Sequence, residues 1–126
     1  MAKTRLLIID DEKDFTDTLS MRLEAKGYEI IEAYDGPTGL EKAQIAKPDL
    51  IVLDIMMPGM SGFDVCLKLK DDKELKAIPV IVLTAKYQPN DIQFAKELGA
   101  DAYLTKPVEM ETLTGKIHEL LKAPGK

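Results

Sequence analysis

What most constrains this chain is a rhythm in which short apolar runs alternate with longer amphipathic stretches. The runs are Leu6-Leu7-Ile8-Ile9, Glu29-Ile30-Ile31, Leu50-Ile51-Val52-Leu53, Val80-Ile81-Val82-Leu83 and Ala102-Tyr103-Leu104. The first, third and fourth are continuously apolar, as central parallel strands covered on both faces must be. The segment Glu29 to Glu32 alternates instead, which suits an edge strand. Five strand–helix units in series imply an α/β domain with a parallel sheet, right-handed crossovers and helices on both faces.

The stretches between the runs carry helix signals at their ends. Phe15, Leu19 and Leu23 mark one face of a first helix, and Gly27 suits its C-terminal cap. Asp35-Gly36-Pro37 opens a second helix, which Pro48 cannot continue. Ser61 caps a third, carrying Phe63, Leu67 and Leu69. Pro89-Asn90-Asp91 opens a fourth, with Ile92, Ala95 and Leu98 inward and Gly99 after it. Met110, Leu113, Ile117 and Leu120 give a fifth, followed by Ala123-Pro124-Gly125-Lys126. The expected organisation is one domain over residues 1–122 and a tail or linker stub over 123–126.

The chain's 126 residues suit a single compact domain, and 45% apolar with 31% charged residues gives a globular balance. A net charge of -5 argues against direct contact with nucleic acid or an anionic membrane surface. One cysteine, Cys66, cannot form an internal disulfide. With no apolar run long enough to span a membrane and no signal-peptide pattern at the start, a cytoplasmic location is expected.

Polar residues fall where this frame gives them meaning. Asp10 and Asp11 follow the first strand, Asp54 the third and Thr84 the fourth, while Lys106 sits just past the fifth. All lie at carboxyl ends of strands, the edge where open α/β sheets bind ligands. Three converging carboxylates repel one another, and a hard divalent cation relieves that repulsion; Mg²⁺ takes one or two carboxylates plus a phosphate oxygen. One histidine and one cysteine make a zinc site implausible. Lys106 offers a fixed positive charge to Asp54 and then to a phosphoryl oxygen, and Thr84 offers a hydroxyl donor. Such a set supports transfer of a phosphoryl group onto the Asp54 carboxylate, with no general base needed.

The chain resembles the receiver domain of two-component response regulators over essentially its whole length. The resemblance rests on Ile8-Ile9-Asp10-Asp11-Glu12 and on Asp49-Leu50-Ile51-Val52-Leu53-Asp54-Ile55-Met56-Met57-Pro58-Gly59-Met60-Ser61-Gly62. Pro79-Val80-Ile81-Val82-Leu83-Thr84-Ala85 and Gly99-Ala100-Asp101-Ala102-Tyr103-Leu104-Thr105-Lys106-Pro107 complete it. It implies a flavodoxin-like (βα)5 fold with strand order 2-1-3-4-5. It implies Asp54 as phosphoacceptor, and Asp10, Asp11, Asp54 and the Met56 backbone carbonyl around Mg²⁺, with Mn²⁺ as a substitute. Lys106 and Thr84 would contact the phosphoryl group, Ala85 would allow close backbone approach, and the Lys106–Pro107 bond would be cis. Tyr103 matches the aromatic switch position, answering movement of Thr84 and altering the surface of the fourth helix, fifth strand and fifth helix. Implied partners are a sensor histidine kinase or histidine phosphotransfer protein and a downstream protein or effector domain, with phosphorylation-dependent pairing of two copies also compatible.

Other residues read as structural. Cys66 is a small packed hydrophobe, His118 lies on the exposed side of the last helix, and Gly115 is disfavoured inside a helix by roughly 1 kcal/mol. The resemblance also implies that the Met56 side chain overhangs the site. The competing reading is an Mg²⁺-dependent phosphohydrolase working through an aspartyl-phosphate. Such enzymes carry an acid/base aspartate two residues after the nucleophile, where this chain has Met56, so self-phosphorylation and self-dephosphorylation are expected rather than substrate turnover. A nucleotide-binding domain would need a glycine-rich loop where Asp10-Asp11-Glu12 stands.

Overall fold

A computed structural model describes residues 3–86 and 88–122; the expected tail at 123–126 lies outside the described residues. The strands are β1 (Arg5–Ile9), β2 (Glu29–Ala33), β3 (Leu50–Leu53), β4 (Val80–Thr84) and β5 (Ala102–Thr105). Between and after them come α1 (Lys13–Ala25), α2 (Gly36–Ala46), α3 (Gly62–Lys70), α4 (Pro89–Glu97) and α5 (Met110–Lys122). All pairings are parallel and the sheet order is β2-β1-β3-β4-β5, with β2 at an edge as its alternation required.

Side chains alternate across the pleat and sort the core into two layers. Leu7, Ile9, Ile51 and Leu53 pack with Ala43 of α2 and with Val65, Cys66 and Leu69 of α3. Leu6, Ile8, Leu50, Val52, Ile81 and Leu83 pack with Leu19 and Leu23 of α1 and Leu113 and Ile117 of α5. A smaller cluster joins Ile55, Val82 and Ala95 with Phe63, Ala100 and Tyr103, and so connects the loop after β3 to α4 and β5.

Helix ends follow the sequence signals. Gly27 takes a φ of 101° just past α1, and Asp35 accepts the Thr38 N–H at 2.8 Å to cap α2. Ser61 and Asp64 form a reciprocal capping box on α3. One expectation about α3 changes: Leu69 is buried and Phe63 partly so, but Leu67 is 53% exposed. Val65 and Cys66 fill the inward stripe instead. Cys66 is fully packed, with burial pushing its thiol up to about 11, while His118 and Gly115 are exposed.

Candidate functional site

Three strand ends, those of β1, β3 and β4, each deliver one polar side chain to the carboxyl edge of the sheet. Asp10 directly follows β1, and its backbone N–H donates to the Ala33 carbonyl at 3.0 Å, continuing the β1–β2 ladder. Asp54 follows β3 in the same way, its N–H donating to Ile9 at 3.0 Å. Thr84 ends β4, and its carbonyl accepts the Lys106 N–H at 2.8 Å. Asp10, Asp54 and Thr84 are all buried, although isolated carboxylates strongly resist burial.

Lys106 provides the compensating charge. Its Nζ donates to Asp10 Oδ2 at 2.8 Å, to Asp54 Oδ2 at 3.1 Å and to Glu12 Oε1 at 2.7 Å. The Phe15 ring centroid lies 4.1 Å from the same nitrogen. Desolvation works to lower the lysine's pKa, but its hydrogen bonds to Asp10 and Glu12 hold it above the ordinary lysine range. At Asp10 desolvation wins, and the carboxyl is raised despite its bonds from Lys106 and the Glu12 N–H.

The second oxygen of each buried aspartate is held by nearby backbone. Asp10 Oδ1 accepts the Glu12 N–H at 2.9 Å, and Asp54 Oδ1 accepts the Met56 N–H at 2.9 Å. Both carboxylates are thereby fixed in rotation. Carboxylate oxygens of Asp10, Glu12 and Asp54 lie within 4.8 Å of one another, a hard-oxygen set suited to a divalent cation. That set already gathers around one cation, the Lys106 ammonium. Asp11 lies exposed on the same loop and does not belong to the three-carboxylate group.

The remaining sequence candidates lie around this cluster. The Thr84 hydroxyl accepts the Lys86 N–H at 3.4 Å, Ala85 is exposed beside it, and the Lys106–Pro107 bond is cis. Met56 is half exposed. The Tyr103 hydroxyl donates to the Lys86 carbonyl at 2.8 Å, tying β5 to the loop after Thr84. Burial, then the charges of Asp91 and Asp54, push its phenol up to about 12, so it remains a donor.

Glu12, Phe15 and Gly62 were not singled out by their residue types. Glu12 stood in the motif after the first strand without a role assigned to it, and Phe15 read only as part of a core stripe. A Cβ on Gly62 would overlap the Asp54 carbonyl oxygen and sit 2.5 Å from the Ile55 Cα, so α3 begins pressed against the Asp54 loop.

Comparison with known proteins agrees with this arrangement. The family model described as response regulator receiver domain matches residues 6–118. The alkaline phosphatase synthesis transcriptional regulatory protein PhoP of Bacillus subtilis is 40% identical over 118 residues, covering 94% of this chain and 48% of that one. The DNA-binding dual master transcriptional regulator RpaA of Synechocystis is 42% identical, covering 94% and 49%. The chain thus spans about half the length of these two relatives. Protein PilH of Pseudomonas aeruginosa is 42% identical, covering 93% of this chain and 97% of its own. Among solved structures, the chemotaxis protein CheY4 of Vibrio cholerae superposes with a TM-score of 0.89 at 34% identity, covering 94% and 99%. A matching family model, a relative matched over nearly its whole length and the strand-edge cluster converge, and the chain belongs to the response regulator receiver domain family.

Proposed function

We propose that this receiver domain accepts a phosphoryl group on Asp54 from a phosphohistidine of a sensor kinase or phosphotransfer protein. The observation that carries this reading is the Lys106 ammonium, held between the buried Asp10 and Asp54 carboxylates at the carboxyl edge of the sheet. An Asp54 oxygen attacks phosphorus, the N–P bond breaks, and the electron pair leaves with the imidazole, which takes a proton from solvent. Asp54 then carries an acyl phosphate. The Met56 N–H on Oδ1 orients the nucleophile, and Lys106 and Thr84 donate to phosphoryl oxygens. Asp10, Asp11, Asp54 and the Met56 backbone carbonyl are the groups that would hold Mg²⁺, or Mn²⁺ in its place. The ion would supply neutralisation of the phosphoryl charge.

The group adds about −1.5 to −2 of charge beside Thr84. Thr84 moves toward it, the Lys86 carbonyl moves with the chain, and Tyr103 answers through its hydroxyl bond. The surface of α4, β5 and α5 changes, and a downstream protein, an effector domain or a second copy reads it. The ligand shifts a pre-existing balance by the difference in its affinity for the two states. Asp54 stores phosphate transiently, in a cytoplasmic setting, and does not process substrate. Met56 brings a thioether, not an acid, to the position a phosphohydrolase would use.

Incubation with a small phosphodonor and Mg²⁺ tests both roles. One phosphoryl group per chain should be gained and then slowly lost, and none by Asp54→Ala. Rapid multiple turnover of organic phosphates would favour the hydrolase.

A further inference from the structure

An ammonium has three hydrogens to donate, and Lys106 spends all three at once on Asp10, Glu12 and Asp54. The Phe15 ring closes another side of the nitrogen. Lys106 can therefore meet a phosphoryl oxygen only by giving up one of these contacts. The three differ in what release costs. The Asp10 and Asp54 side chains are 3% and 4% exposed, whereas that of Glu12 is 63% exposed. A buried carboxylate left without its donor is costly, but an exposed one is rehydrated with little loss.

We propose that Glu12 is a positioning residue that holds Lys106 in the resting protein and releases it when a phosphoryl group arrives. This inference rests on Asp54 being the phosphoryl acceptor. Because the Glu12–Lys106 pair exists only at rest, it favours the unphosphorylated form. Glu12 thereby sets how readily the site takes up its phosphoryl group, acting through Lys106 rather than touching the reacting atoms.

The test uses beryllium fluoride, which attaches to a carboxylate as a phosphoryl mimic, with Mg²⁺ at saturation for each variant. Glu12→Gln is expected to bind the mimic roughly twofold to fivefold more tightly, the range for loss of an exposed ion pair. Asp14→Asn is the charge control, since Asp14 is exposed in the first turn of α1 and is not among the partners of Lys106. It is expected to change affinity less. Side-chain NMR of Lys106 gives a readout that mere loss of charge would not reproduce. Its ammonium and Cε resonances should differ between wild type and Glu12→Gln at rest and coincide in the adduct.

Unchanged or weaker binding by Glu12→Gln would overturn the proposal. So would an equal gain in Asp14→Asn, or a Lys106 difference that persists in the adduct. Failure of the wild type to form any adduct would strike the Asp54 reading beneath it, which separates the two failures.

Discussion

Asp10 experiences burial and ion pairing in opposite directions, and its raised pKa shows that burial prevails even with Lys106 alongside. A carboxyl with a raised folded pKa holds its proton longer in the native than in the unfolded state. Stability therefore falls as pH rises from the ordinary aspartate range, about 3.9, through the folded value, and the loss persists at neutral pH. Asp10→Asn keeps an oxygen for the Glu12 N–H and removes the charge. Without divalent metal it should unfold at higher urea than wild type at neutral pH, and the gap should narrow below about pH 4. Equal midpoints across that range would mean that pairing, not burial, decides the energy of this carboxylate. The same residue is among those proposed to hold metal, a role that would set charge retention against stability at this site. The position of Asp10 was legible in the sequence, because an apolar run ends at a definite residue and the next side chain must sit at the strand edge. Glu12 was not legible in that way. Its place depends on the turn in which its own N–H bonds Asp10 Oδ1, and turns of that kind leave no periodic trace.

The elements around the site show where periodicity succeeds and where it stops. Strand faces, the caps at Asp35 and Ser61, and the positive φ at Gly27 and Gly99 all follow from residue types at known positions. The inward stripe of α3 did not, because Phe63 and Leu67 form a second apolar line beside the one that faces the sheet. Phe63 meets Phe94 of α4 at 4.8 Å edge to face, and Leu67 stays outside. Gly62 shows a different limit, since nothing in the sequence says that the Asp54 backbone passes against it. Gly62→Ala should destabilise by about 1–3 kcal/mol, as overpacking does, and slow phosphoryl acceptance by displacing the Asp54 loop. Urea unfolding together with labelling kinetics checks both effects; a variant matching wild type in each would show that the contact is soft. Gly115 is the opposite case, for a Cβ there meets nothing. Gly115→Ala should stabilise α5 by about 1 kcal/mol, read as a raised unfolding midpoint.

Across the whole molecule, one sheet connects the proposed phosphoryl site to the surface proposed to report it. β1, β3 and β4 bring Asp10, Asp54 and Thr84 to one edge, while β5 carries Tyr103 on the strand paired with β4. Tyr103 packs against the cluster that holds Ile55, the residue after Asp54, so the loop that would bear the phosphoryl group and the surface that would report it share a cluster. No helix among the described residues is long and apolar enough to cross a membrane. The most direct test is to locate the phosphoryl group itself. After reaction with a small phosphodonor and Mg²⁺, borohydride should reduce the acyl phosphate to an alcohol, and peptide mapping should find that product at position 54 alone. It should be lost when Mg²⁺ is withheld. Reduction at another carboxylate, or undiminished modification of Asp54→Ala, would contradict the assignment of Asp54 as the phosphate store.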